Sequence, residues 1–213
     1  MQRHLHAIYA VEAPDVREFL VPPELLPRYA PGHREAREWV LVRERRDGVD
    51  IGVYLDPRDV ERVESLGPQA ASEEALPALC NVTEGGSHFL LLFRRAARAE
   101  PVSRRELEAQ AEVDKYVTVT LHRRHRRSAR EAEGPRAERG HSEQLRRRLF
   151  REARLADGLH PEERERYTEA ARLADRYCAR LEACPDTSSM LGELRRFYRL
   201  SGPARMARLR NAA

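Results

Sequence analysis

Residues 84–117 read EGGSHFLLLFRRAARAEPVSRRELEAQAEVDKYV, and this stretch decides the architecture that the sequence predicts. Apolar residues recur at helical spacing on both sides of the short segment AEPV, residues 99–102. After that segment, Ser103 and Glu106 match the Ser-x-x-Glu capping box that begins many helices. Because the connection is so short, the stretch predicts two antiparallel helices, a helical hairpin.

Strand signals lie upstream of this helical hairpin. Residues 38–56 read EWVLVRERRDGVDIGVYLD, and two β-rich runs flank Asp47-Gly48, a dipeptide suited to the positive φ angles of a tight turn. Residues 4–12, HLHAIYAVE, alternate in polarity and predict a further strand. The predicted fold class is therefore α+β, with a small antiparallel sheet of about three strands packed on the helical hairpin.

Helical patterns occupy most of the remaining chain. Residues 57–66 predict a short amphipathic helix that stops at Gly67, while Asn81 or Thr83 is expected to cap the next helix after Pro77. A basic, mostly helical region closes the chain. The predicted division is an α+β domain over 1–121, a charged linker or exposed extension over 122–141, and a helical region over 142–213.

Length and composition limit the size of the domain, the cellular compartment and the possible membrane association of the protein. The chain of 213 residues is long enough for one large domain or a domain with an appendage. Its three cysteines show neither a paired framework nor a metal-ligand spacing, which favours a reducing compartment. No stretch approaches the length of a membrane span, and the amino terminus does not resemble a signal peptide. We therefore expect a soluble, cytoplasmic protein without a membrane contact.

Charge is unevenly distributed along the chain. The net charge of +4 divides into −4 for residues 1–100 and +8 for residues 101–213. An excess of positive charge indicates an acidic protein or a nucleic acid as partner. The arginines of two runs are the candidate contacts: Arg123, Arg124, Arg126, Arg127, Arg146, Arg147 and Arg148. The alternative interpretation is that these runs are ordinary solvated helix faces.

A candidate polar site follows from the folded helical hairpin. Glu84 and His88 lie one turn apart on the first helix, and the second helix carries Glu112, Asp114 and Lys115, the only lysine in the chain. Antiparallel pairing predicts that all five side chains converge at one end. Glu84, His88, Glu112 and Asp114 would suit a divalent metal, which is the one cofactor that the residues suggest.

Lys115 among carboxylates could instead carry a proton or clamp an anion. Gly85-Gly86 would let a backbone or ligand approach the first helix closely. A purely structural charge network is the alternative for the whole cluster.

Three functions remain open at this point. The first is a cytoplasmic binding or regulatory protein whose basic second half contacts an acidic partner or a nucleic acid. The second is an enzyme, metal-assisted in one version, with its catalytic residues among Glu84, His88, Glu112, Asp114 and Lys115. The third is a subunit of a larger assembly, which requires an exposed apolar patch. No motif in the sequence names a reaction or a ligand.

Overall fold

A computed structural model describes residues 1–29, 36–67, 72, 74–128, 135–153, 155 and 158–211, and the side chains of 125–128 and 135–139 are not described. The chain forms two compact units. The first consists of Met1–His6 and Val11–Pro101, and the second consists of Ala7–Ala10 and Val102–Ala213.

The described part of the chain is mostly helical and contains one small sheet, so the fold is broadly α+β. The elements run in the order α1 (Gln2–Tyr9), 3-10 turns at Val16–Phe19 and Pro23–Leu25, α2 (Leu26–Tyr29), β1 (Glu38–Glu44), β2 (Val49–Leu55), α3 (Pro57–Leu66), α4 (Leu76–Ala96), α5 (Arg104–Ser128), α6 (Pro135–Arg146), a π-helical turn (Arg147–Arg151), α7 (Pro161–Glu182), α8 (Thr187–Arg199) and α9 (Gly202–Arg210). No helix among the described residues is both long enough and apolar enough to cross a bilayer.

The sheet has two strands where the sequence predicted about three. β1 and β2 pair antiparallel from Glu38↔Leu55 to Glu44↔Val49. The predicted strand within residues 4–12 is wrong, because α1 occupies most of it. Leu5, Ile8 and Tyr9 are buried at i, i+3 and i+4, the spacing of a helical face. The short apolar run is compatible with both the strand period of two residues and the helical period of about 3.6 residues, and its burial follows the helical period.

The turn of the β-hairpin differs from the prediction in detail. The residues that join β1 to β2 are 45–48, and the Arg45 N–H donates to the Gly48 carbonyl at 2.8 Å. Neither Asp47 nor Gly48 is among the described residues with positive φ. A connection of this length closes without the two left-handed residues that a tighter turn requires.

The helix α4 begins earlier than expected and packs on this β-hairpin. It starts at Leu76 with Pro77 in its first turn, where the missing proline N–H costs nothing, so the predicted cap at Asn81 or Thr83 is wrong. A Cβ atom at Gly85 would lie 2.6 Å from Leu55 Cδ2, so the bare glycine lets the helix and strand β2 approach closely. At Gly85 the close approach is made by side chains of the β-hairpin, those of Leu55, Glu38 and Val53.

Two helix boundaries were predicted correctly. The α3 helix ends at Leu66, and Gly67 follows it with a φ of 46°. In the second unit, α5 begins after the predicted capping box, in which Ser103 N–H and Oγ donate to Glu106 and the Glu106 N–H donates back to Ser103 Oγ.

The predicted linker over 122–141 contains helical segments at both ends. The α5 helix continues to Ser128, and α6 begins at Pro135. Residues 129–134 of that segment lie outside the described residues. Its interpretation as a linker or exposed extension stays a prediction.

The core of the second unit is built along α7. This helix buries one continuous face and packs along α5. The buried residues recur at helical spacing: Ala170, Leu173, Ala174, Tyr177, Cys178 and Leu181. The opposite face of α7 is exposed to solvent.

Candidate functional site

An imidazole–carboxylate pair lies on α4 and β1 of the first unit. His88 Nδ1 lies 3.3 Å from Glu38 Oε1, and both side chains are largely buried. Glu84 lies one turn before His88 on the same helix. The sequence prediction missed Glu38, because its contact with His88 depends on how the β-hairpin packs on α4. A carboxylate in this position orients the imidazole ring and favours one tautomer.

Asp114, in the second unit, belongs to a buried hydrogen-bond network. Its carboxylate accepts bonds from the Tyr9 hydroxyl and from Gln110 Nε2, the latter at 2.7 Å. Burial, followed by the charge of Asp114 and the hydrogen bond to it, raises the pKa of Tyr9 well above its ordinary value. Tyr9 therefore remains a protonated donor at neutral pH, and Asp114 serves as its acceptor.

The same network contains a fully buried arginine from the last helix. The Arg205 guanidinium donates to the Gln110 side-chain carbonyl. It also donates to main-chain carbonyls at the end of α8, with distances of 3.3 Å to Tyr198 and Leu200, and its carbon Cζ lies 4.4 Å from the centre of the Phe197 ring. Nothing in the local pattern of α9 distinguishes this arginine from its exposed neighbours. The network holds α9 against α5 and α8.

The lone lysine has a carboxylate partner on its own helix. Lys115 Nζ donates to Glu112 Oε1 at 2.7 Å, and both side chains are mostly shielded from solvent. Glu108, one turn before Glu112, lies 3.5 Å from Arg166 Nε of α7. Within the second unit, Lys115 thus pairs with Glu112, and Glu108 pairs with Arg166.

The five predicted catalytic residues are divided between the units. Glu84 and His88 belong to the first, whereas Glu112, Asp114 and Lys115 belong to the second. Their convergence, and the divalent metal expected at Glu84, His88, Glu112 and Asp114, stay predictions.

Arg146, from the predicted arginine runs, is held inside the second unit. Its guanidinium binds Asp175 at 2.6 Å and Glu182 at 2.8 Å, and Glu182 also accepts the Tyr116 hydroxyl at 2.8 Å. Burial opposes the charge on Arg146, but the hydrogen bonds from the two carboxylates raise its pKa overall. Arg146 therefore cross-links α6 to α7, and its predicted contact with an external partner stays a prediction.

The other predicted arginines occupy more open positions. Arg147 pairs with Glu152 at 2.9 Å on the surface of the π-helical turn. Arg148 and the α5 residues Arg123 and Arg124 are partly exposed. The predicted contacts Arg126 and Arg127 have side chains outside the described set.

A row of arginines on α7 was not predicted as a site. Arg172 and Arg176 are exposed and Arg180 is partly exposed, and their spacing of four residues places them on one face of the helix. We call these three residues the basic stripe. Neither Arg172 nor Arg176 forms an ion pair with any residue that the structure describes. The spacing was visible in the sequence, but only burial distinguishes exposed arginines from paired ones.

The thiol of Cys184, two residues after α7 ends, has a raised pKa. Burial is the main cause, and the positive charges of Arg124 and Arg180 act in the opposite direction.

No protein-family model, curated protein or solved structure matches this chain. The function is therefore argued from the site alone.

Proposed function

We propose that this chain is a cytoplasmic binding protein that contacts an anionic macromolecule through the basic stripe of its second unit. The observation that supports the proposal most strongly is the stripe itself, three arginines in a row of which two have no acidic partner among the described residues. Arginine keeps its charge at all physiological pH values, and its planar fork matches phosphate and carboxylate groups.

The two acidic residues in the C-terminal half of α7, Asp175 and Glu182, are already neutralised. Asp175 accepts bonds from Arg146 at 2.6 Å and from Arg151 at 3.0 Å, and Glu182 accepts from Arg146. Arginines of the preceding helix and turn thus cover the carboxylates of the C-terminal half of α7. The exposed face beside them consequently keeps a positive potential, which attracts polyanions.

The cytoplasmic part of the proposal rests on the thiols. Cys178 and Cys184 form no disulfide, and Cys178 is fully buried in the core of the second unit. Free cysteines are typical of a reducing compartment.

Heparin affinity chromatography tests the charge-binding function without assuming a class of partner. We expect the wild-type protein to bind and to elute with salt, and Arg172→Gln/Arg176→Gln to elute at a lower salt concentration. The matched control is Arg17→Gln/Arg164→Gln, which removes two exposed arginines outside the stripe. The control has the same net charge as the stripe variant. Equal elution of both double variants would contradict the proposal.

An enzyme is the second candidate function, and the His88–Glu38 pair supports it. A largely buried imidazole that contacts a carboxylate resembles the base and orienting group of many active sites. The metal-assisted version is tested by elemental analysis of the purified protein, with His88→Ala and Glu84→Ala compared. A wild-type preparation without stoichiometric divalent metal would rule that version out.

The third candidate, a subunit of an assembly, is favoured by apolar exposure in the first unit. Among the described residues, the large exposed apolar side chains are Leu20, Leu25, Tyr29, Val42 and Val49. An assembly interface would require such residues to form one contiguous apolar patch. Sedimentation showing a strict monomer, both alone and in cell extract, would count against this candidate.

A further inference from the structure

The geometry of the basic stripe restricts the kind of anion that it fits. Successive arginines of the stripe are four residues apart, so their α-carbons advance by about 6 Å each and span about 12 Å in all. The charges therefore follow a line along one face of α7. A linear ligand with regularly repeated charges matches this arrangement better than a small anion.

Among its described residues, the second unit shows no large apolar side chain that is exposed. The large apolar side chains that are exposed among the described residues all lie between Leu20 and Val49, in the first unit. A specific protein interface depends on buried apolar and aromatic anchors surrounded by a polar rim. Interfaces with a nucleic-acid backbone are instead polar, hydrated and strongly positive on the protein side. The described surface around the stripe resembles the latter.

No aromatic side chain of the second unit is fully exposed among the described residues, although Tyr167 of α7 is partly exposed, and this disfavours a single strand. Proteins that bind single-stranded nucleic acid stack its bases on aromatic side chains, in addition to contacting phosphates. Tyr177, the aromatic residue of α7 next to Arg176, is fully buried and faces the core. The stripe can neutralise phosphates, but it offers no platform for unpaired bases.

We infer that the partner is double-stranded nucleic acid, contacted through phosphates of its backbone and without sequence readout. This inference rests on the proposed charge-binding function and narrows it to one class of ligand. Each arginine of the stripe neutralises one phosphate and releases its counterions. Because no side chain of the stripe reaches a base edge in this mode, duplexes of unrelated sequence bind equally well.

Fluorescence anisotropy with labelled ligands tests the inference. The ligands are two unrelated DNA duplexes of about 20 base pairs, a single strand of equal length and polyglutamate, each titrated at salt concentrations from about 50 to 200 mM. For three phosphates, the logarithm of the association constant should fall with the logarithm of salt concentration with a slope of about −3. Arg172→Gln/Arg176→Gln should weaken that slope by about 2, whereas Arg172→Lys/Arg176→Lys should preserve it.

The control Arg17→Gln/Arg164→Gln should keep the wild-type slope, and circular dichroism confirms that each variant is folded. Equal affinity for the two duplexes, above that for the single strand, supports the inference. Tighter binding of polyglutamate or of the single strand than of the duplexes would overturn the duplex inference. The charge-binding function would still stand if the stripe variant also weakened heparin binding. Loss of heparin binding as well would overturn both.

Discussion

The carboxylate of Glu106 accepts a hydrogen bond at 2.8 Å from the N–H of Gly202, a residue 96 positions later in the chain. The same carboxylate accepts the N–H and hydroxyl of Ser103, at 3.0 and 2.9 Å. One side chain therefore caps the start of α5 and also holds the start of α9. Gly202 has a φ of 49°, which favours glycine at this junction. A local sequence motif thus serves a long-range contact.

Stability of the second unit should depend on the ionisation of Glu106. Burial by itself would raise its pKa, but the hydrogen bonds from Ser103 and Gly202 lower the pKa overall below its usual value. A carboxylate whose pKa is lower in the folded state stabilises the protein at pH values above its unfolded-state pKa. This stabilisation is lost as the pH falls through the folded-state pKa. Urea unfolding at neutral and acidic pH should therefore show less acid destabilisation for Glu106→Gln than for wild type. An unchanged pH dependence would contradict this role.

Arg205 should be far more important for stability than its neighbour on α9. Arg205→Ala leaves the Gln110 carbonyl and the carbonyls at the end of α8 without their donor, and we expect a loss of about 3 to 5 kcal/mol. Arg210→Ala removes an exposed arginine from the same helix and should change stability by less than about 0.5 kcal/mol. Chemical denaturation measures both, and similar losses would contradict the burial of Arg205.

Arg146 and Arg147 should differ in the same way, although they are adjacent. Arg146→Ala leaves Asp175 with only its contact to the exposed Arg151, and we expect a loss of about 3 kcal/mol. Arg147→Ala breaks an exposed pair with Glu152 and should cost less than about 1 kcal/mol. Thermal unfolding separates the two outcomes. If Arg146→Ala is as mild as Arg147→Ala, the cross-link between α6 and α7 is not stabilising.

The two adjacent glycines of α4 should respond oppositely to alanine. A Cβ at Gly85 would meet Leu55 Cδ2 at 2.6 Å and Glu38 Cγ at 3.1 Å, whereas the nearest atom at Gly86 is Leu5 Cδ1 at 3.8 Å. Gly86→Ala should raise the free energy of unfolding, because alanine has the higher helix propensity. Gly85→Ala should be at least about 1 kcal/mol less stable than Gly86→Ala. Urea unfolding of both variants provides the comparison. Equal stability of the two variants would show that the Leu55 side chain of β2 moves aside at little cost.

Cys178 should be chemically inert while the second unit is folded. Burial is the main reason that the pKa of its thiol is raised well above the ordinary value. In a Cys80→Ser/Cys184→Ser variant, a thiol reagent should react with Cys178 at least about 100-fold more slowly in buffer than in urea, because reaction requires opening of the unit. Fast labelling in buffer would contradict the burial, and the variant that retains only the partly exposed Cys184 serves as the reference.

Local signals predicted those features whose causes are local. The capping box at Ser103 and Glu106, the strands on either side of residues 45–48 and the stop at Gly67 all depend on residues a few positions apart. The third strand failed for the same reason, since the short run around Leu5 and Ile8 is compatible with both periods.

The roles of individual charged residues could not be predicted in this way. Arg146 and Arg205 resemble every other arginine in the sequence, yet the first cross-links α6 to α7 and the second is buried beneath α9. Their partners come from segments far along the chain, and no local pattern encodes that distance. Glu38 beside His88 is a third example.

The amino-acid sequence by itself determined the helical character of the chain, the β-hairpin strands, the start of α5 and the excess of arginine in the second half. Only the tertiary structure decided which charges are neutralised inside the protein and which, such as Arg172 and Arg176, face solvent. The physical reason is that periodicity and capping act over a few residues. Burial and ion pairing depend instead on which distant segments pack together.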